Sequence, residues 1–335
     1  MSTIKDVARQ AGVSTMTVSR VINNTGYIRS ETRARVEQAI AELGYLPNAL
    51  ARSLRFKQTK TIALVLTDIK NPFFTTLARG VEDAAGAQGF SVLFCNTDES
   101  EATEGAHLSI LVQKQVDGVL LVPASSESRA IPLLRAHGVP VVALDRRVHD
   151  PSVDTVRGDS ESGAYELVRH LIGLGHRRIA MLTSAHNVST ATDRVAGYRR
   201  ALSEAGIAVD PRLICSDDFS TEGGFRSTQQ LLALHPRPTA IFGGNNFIAF
   251  GAFRAMREAG LQVPDDCSLV TFDDLPESWL MLPFLTTVNQ PAYAIGQQAT
   301  ELLLDRLEGR GGPAARMIVL PGELIVRRSS APPPT

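Results

Sequence analysis

The chain has 335 residues, 44% hydrophobic and 21% charged, an ordinary globular composition and too long for one small domain, since single cores stop growing near ~250 to 300 residues. Its net charge of −1 hides a segregation, because residues 1–60 carry ten Lys or Arg against four Asp or Glu, leaving the acidic excess to the rest of the chain. No run approaches ~18 apolar residues and no apolar signal core stands near Met1, which excludes a membrane-spanning protein and predicts a cytoplasmic one.

The first elements are two short helices. Ile4, Val7, Ala8 and Ala11 recur at helical spacing, with Thr3 placed as N-cap and Asp6 completing a capping box. Gly12 makes a tight turn, and Ser14 caps a second helix that turns Val18, Val21 and Ile22 inward and Thr15, Met16, Ser19 and Arg20 outward. A third helix, from Glu31 to Leu43, takes Ser30 as cap and ends at Gly44. Three helices in about forty residues, with a glycine turn between the first two, describe a helix-turn-helix head of basic charge, suited to a polyanion. Residues 47–60 then hold one candidate short helix that needs a partner to persist in water.

From Thr61 onward short β-branched runs alternate with helical segments. Strands are predicted over 61–67, 91–95, 118–122, 139–144, 178–182, 239–242 and 268–272, the pattern of parallel sheets covered by helices on both faces. The array is long enough for two sheets. The Ser- and Pro-rich end, 330–335, is expected to be a disordered tail.

Catalytic signatures are missing. There is no phosphate-binding GxxxxGK[ST], no HExxH, and no GxGxxG after a strand. Gly158-Asp159-Ser160-Glu161-Ser162-Gly163 fails the GxSxG elbow because Ser162 stands where the second glycine belongs, so Ser160 reads as a helix N-cap. Cys95, Cys215 and Cys267 lack CxxC spacing, and seven histidines are scattered without metal spacing. No enzymatic activity, no cofactor and no metal are expected.

The segments IKDVARQAGVSTMTVSRVIN and ETRARVEQAIAELGYLPNALARSL resemble the DNA-binding head and hinge of the LacI/GalR regulators, and the similarity continues through NPFF, LIGLGHRRIAML, DRVAGYRRAL, NNFIAFGAFRAM, LVTFDD and LTTVNQP to about residue 329. The resemblance implies a body of the type I periplasmic-binding-protein fold, two doubly wound subdomains around a cleft. The N-subdomain is placed at 61–158 plus 289–320 and the C-subdomain at 159–288 plus 321–329. It implies a homodimer reading an inverted-repeat operator under control of a small sugar effector. The other class of function compatible with such a body, a sugar-binding protein without operator-specific DNA binding, is opposed by the basic head.

By position in the family, Thr15, Met16 and Arg20 read bases, Leu54 with Arg55 enters the minor groove, and Thr3, Ser19, Asn23 and Tyr45 contact phosphates. An alternative for Met16 is packing inside the head. In the body, Asn71, Phe73, Phe74, Asp145, Arg146, Arg194, Phe219, Asn245, Asp273 and Gln290 match positions that hold the sugar in pentose-binding proteins of this fold. Trp279 is a further candidate stacking face. Carboxylates, amides and guanidiniums exchange hydrogen bonds with hydroxyls while rings cover C–H faces. These matches favour an unphosphorylated, ribose-like sugar. Asn246 stands where the family usually has Asp, which alters a helix cap or a charge interaction.

Overall fold

The structure, a computed structural model, describes residues 2–45, 58–128, 131–184, 187–275, 283–310, 312 and 314–334. The candidate hinge helix, with Leu54 and Arg55, and the aromatic candidate Trp279 lie outside the described residues. The chain divides into two units, residues 1–59 and 60–335.

In the first unit, α1 (Ile4–Ala11) begins at Thr3, whose hydroxyl accepts from the Asp6 amide while the Asp6 carboxylate accepts from the Thr3 amide at 3.0 Å. Two backbone donors at the helix start are thereby satisfied. Gly12 takes the left-handed conformation, φ 64°, that the turn into α2 (Thr15–Ile22) demands. The Ser14 hydroxyl caps α2 by accepting from the Thr17 amide. The third helix, α3 (Ser30–Leu43), corrects the expected cap: Ser30 is already helical and Arg29 precedes it without a side-chain cap. Val7, Ala8, Ala11, Val18, Val21, Val36 and Ala39 form the core of the head.

The second unit alternates strand and helix: β1 (Thr61–Leu66), α4 (Pro72–Ala87), β2 (Ser91–Asn96), α5 (Glu101–Gln113), β3 (Gly118–Leu121), α6 (Ile131–Ala136), β4 (Val141–Leu144) and β5 (Asp154–Gly158). It continues with α7 (Ser160–Gly173), β6 (Ile179–Thr183), α8 (Ser189–Glu204), β7 (Ile214–Ser216), α9 (Thr221–Leu232), β8 (Ala240–Gly243), α10 (Asn246–Glu258), β9 (Ser268–Phe272) and β10 (Thr286–Asn289). Last come α11 (Ala292–Leu307), β11 (Met317–Leu320) and β12 (Glu323–Ile325).

Two sheets of six strands result, ordered β2-β1-β3-β4-β5-β11 and β7-β6-β8-β9-β10-β12. All pairings are parallel except β10 with β12. The central strands are apolar on both faces, as sheets covered by helices on two sides require; in β1, five of six residues are buried. The chain passes between sheets three times, after Gly158, after Asn289 and after Leu320. The passages lie against one another. A Cβ on Gly158 would collide with the Gln290 side chain, and one on Gly322 with Val288. Helix α7 starts from Asp159, whose carboxylate accepts from the Ser162 amide at 3.0 Å, so Asp159 and not Ser160 is the cap.

The end of the chain departs from expectation, because Ser330 and Ala331 are bound to the body. Ser329 is fully buried and accepts from the Thr286 amide at 2.8 Å. Ala331 donates its amide to Ser268 Oγ at 3.0 Å and accepts from the buried His176 ring at 2.8 Å, while Ser330 meets His170 at 2.9 Å. Composition alone reads Ser-Ser-Ala-Pro-Pro-Pro as disorder; the polar atoms of His176, Ser268 and Thr286 decide otherwise, since buried polar groups demand partners. Truncation after Arg328 is expected to destabilise the body by on the order of 3 kcal/mol, because it orphans several such groups. Thermal unfolding of the truncated chain against the full one checks this.

Candidate functional site

On the head, Thr15, Met16 and Arg20 are all exposed on α2, on the side away from Val18 and Val21. Met16 is 64% exposed, so the alternative of packing inside the head is excluded. The candidate phosphate residues are partly occupied at home: Thr3 caps α1, the Asn23 amide donates to the Ser19 carbonyl at 2.7 Å, and Tyr45 packs against the edge of the head core.

In the body, a cavity of about 240 Å³ lies at the carboxyl ends of the strands, where open α/β sheets bind ligands. It is lined by nine of the ten expected residues: Asn71, Phe73, Phe74, Asp145, Arg146, Arg194, Phe219, Asn245 and Asp273. Gln290 is set back from it, donating to Asp273 at 2.6 Å and so orienting that carboxylate. Thr67, Asp98, Glu99 and Ser220 line the cavity without having been expected, as do Thr190 and Asp218, and Asp68, a polar residue at the end of the first strand, lines it too.

Each side chain is aimed by its element. Asn71 caps α4, its oxygen accepting from the Phe73 amide at 3.0 Å, and Asn245 caps α10 by accepting from the Ile248 amide at 2.8 Å. Phe73 and Phe74 meet edge to face, with centroids 5.1 Å apart. Asp145 follows β4 and Asp273 follows β9, and both adopt left-handed backbone, φ 61° and 66°. That conformation costs a non-glycine residue of order 1 kcal/mol and persists where the surroundings over-determine it.

The charges are buried. Arg146 forks onto Glu99 with distances of 2.6 and 2.7 Å, donates to the Pro123 carbonyl at 3.1 Å, and lies 3.8 Å from Asp145. Arg194 donates to the Gly244 carbonyl, stacks 3.9 Å over the Phe272 ring and stands 4.0 Å from Asp273. Burial pushes the Asp145 carboxyl up to about 6, against the opposing pull of Arg146 and Arg194. Asp273 is raised for the same reason. Burial lowers Arg194, whereas Glu99 overcomes burial and raises Arg146. Thr67 Oγ1, Asp145 Oδ1, Arg146 Nε and Arg194 Nε are buried without a hydrogen-bond partner in the protein. The wall thus keeps donors and acceptors that the protein itself does not use.

Asn246 settles differently from the sequence expectation. It does not cap α10; its amide donates to Asn71 Oδ1 at 3.0 Å, a bond from the second subdomain to the first that an ionised Asp could not make.

A helix-turn-helix head on a two-subdomain binding body defines a DNA-binding regulator that senses a small solute. Residues 3–48 match the family model of bacterial regulatory proteins of the lacI family, and residues 59–321 that of periplasmic binding proteins and the sugar binding domain of the LacI family. The chain belongs to the LacI family of transcriptional regulators. It is 39% identical, over all of its length and 98% of the relative's, to the HTH-type transcriptional repressor PurR of Pectobacterium carotovorum subsp. carotovorum (strain PC1). To the ribose operon repressor of Escherichia coli (strain K12) it is 38% identical, over 99% and 100% of the two chains. A crystal structure of the lac repressor dimer bound to operator and the anti-inducer ONPF superposes with a TM-score of 0.87 at 31% identity, over 98% of this chain and 99% of that one.

The raised carboxyl of Asp145 has a measurable consequence. Its native pKa of about 6 lies above the ordinary carboxylate value, so the stability it contributes is fully present below about pH 4 and is lost as pH rises through 6. Asp145→Asn is therefore expected to be more stable than the parent at pH 7 by on the order of 2 kcal/mol, the difference fading towards pH 4. Denaturant titrations at the two pH values check this.

Proposed function

We propose that the chain is a cytoplasmic, homodimeric repressor without enzymatic activity, whose operator affinity is set by an unphosphorylated monosaccharide, ribose or a close relative. The observation that carries this reading is the single cavity that gathers nine of the ten expected sugar-holding residues. Its wall pairs hydroxyl-binding carboxylates, amides and guanidiniums with the rings of Phe73, Phe74 and Phe219. Six carboxylates (Asp68, Asp98, Glu99, Asp145, Asp218, Asp273) outnumber the two guanidiniums (Arg146, Arg194), so a phosphate dianion meets repulsion. The similarity to a ribose operon repressor over the whole chain supports the pentose. No helix among the described residues is long and apolar enough to cross a membrane.

On the operator side, Arg20 reads guanine, Met16 offers an apolar face to a thymine methyl, Thr15 completes the base contacts, and Thr3, Ser19, Asn23 and Tyr45 orient the head on phosphates. The effector bridges Asn71 and Asp145 of one subdomain to Arg194 and Asp273 of the other. It thereby favours the closed cleft and shifts operator affinity by its differential binding to the two states, commonly ~1 to 3 kcal/mol. We propose that this releases DNA, so that operator and sugar weaken each other by one common factor.

A thermal-shift panel of free pentoses, free hexoses, sugar phosphates and nucleobases tests the ligand, since bound ligand raises stability by RT ln(1 + [L]/Kd). Free ribose is expected to lead, and tighter binding of a phosphate or a nucleobase than of every free sugar overturns the reading. Arg20→Ala is expected to lose roughly 1–3 kcal/mol of operator binding with relaxed preference at one base pair per half-site, sugar binding unchanged. Anisotropy titrations on operator variants measure this, and uniform loss on all sequences makes Arg20 a phosphate contact instead.

A further inference from the structure

The two subdomains are joined away from the cavity wall by a charged cluster with no ligand to explain it. Asp193, on α8 of the second subdomain, is 7% exposed and spends both carboxylate oxygens on the first. Arg147, just after β4, donates to Oδ1 at 2.6 Å, and Arg157, within β5, donates to Oδ2 at 2.7 Å. Two backbone amides of the first subdomain make further bonds across the same gap: Arg147 to Ser189 Oγ and Ser126 to the Asn187 carbonyl, each at 2.8 Å. None of these residues lines the cavity, although Arg194, which does, is the next residue along α8.

We propose that Asp193 is a latch between the subdomains, a positioning residue that sets the resting balance of open and closed cleft and thereby the effector affinity, without touching the effector. Charge-assisted bonds in a half-buried setting are stronger than neutral ones, and both arginines belong to the first subdomain, one just after β4 and one within β5, while the carboxylate belongs to a helix of the second. Opening the cleft must therefore break both bonds together and return three charges to water. Whatever fraction of molecules the latch holds closed is the fraction competent to bind, and apparent affinity scales with it. The Asn246 amide to Asn71 acts in the same sense at a second place. The effector then traps a closed form the chain already visits.

The latch itself requires only the two-subdomain body, while its effect on sugar affinity rests on the function proposed above. Hydrogen exchange on the ligand-free, full-length chain reads it directly, because the amides of Ser126 and Arg147 are protected across the gap. Asp193→Asn is expected to speed exchange at both by roughly fivefold or more, within the range of ordinary coupling energies, with amides of β1 and β3 unchanged. Calorimetry with D-ribose is expected to show weaker binding by a similar factor. Arg147→Gln and Arg157→Gln are expected to act in the same direction, and Asp193→Asn with Arg147→Gln to cost less than the two separately. These arginine variants carry the test should Asp193→Asn not fold. Unchanged exchange at Ser126 and Arg147 overturns the latch. So does acceleration spread equally over β1 and β3, which marks a merely structural role. Failure of the parent chain to bind D-ribose refutes the sugar reading and leaves the exchange result to decide the latch.

Discussion

Four charges taken out of water at the meeting of two sheets are the constraint to which much of the body answers. Asp145, Arg146, Arg194 and Asp273 are each at most 5% exposed, and an isolated ion in such a place costs several kcal/mol. Each subdomain brings one acid and one base, paired within its own half, and the cavity sets the two pairs against each other. Asp145 and Arg146 follow β4 of the first subdomain, while Arg194 on α8 and Asp273 after β9 belong to the second. The backbone cooperates at matched places, since β4 and β9 are both fourth in their chain order and both release an Asp in left-handed conformation.

The surrounding groups convert this balance into a shaped site. Glu99 and the Pro123 carbonyl hold Arg146 from one side, while the Gly244 carbonyl and the Phe272 ring hold Arg194 from the other. Gln290, standing where the chain passes back to the first subdomain, orients Asp273, and Gly158 leaves room for it. A solute entering between these groups meets donors and acceptors already oriented, so little ordering is left to oppose binding.

Periodicity made the head legible: the 3.6-residue spacing of Ile4, Val7 and Ala11 and the glycine at 12 specify the first two helices almost completely. The apolar runs of β1, β3 and β9 were legible for the same kind of reason. Less visible were β5, whose Asp154 and Arg157 interrupt the apolar pattern, and β7, three residues long; without β7, Asp218 and Ser220 had no strand end to attach to. Glu99 followed a strand that was recognised, yet its role depends on Arg146, which lies 47 residues further on. The cap positions of Ser30 and Ser160 missed by one residue, the ordinary uncertainty of helix ends. The tail was misread because local composition carries no record of His176. Asn246 could be flagged as unusual, but its partner Asn71 is 175 residues away, beyond the reach of any spacing rule.

The three passages between sheets also govern the order in which this chain can be finished during synthesis. The first sheet has its first five strands by Gly158, yet its helix α11, which supplies Ile295, Ala299 and Leu303 to the core, and its outer strand β11 are made only after the whole second sheet but one strand. Until then β5 presents an open edge and the α4 face lacks its cover, the kind of surface that pairs with other chains. The second sheet waits longer still, for β12 and for Ser329. Neither half is therefore complete until β11 and β12 have been made, and a ribosome that stops before β11 releases two unfinished subdomains rather than one good one.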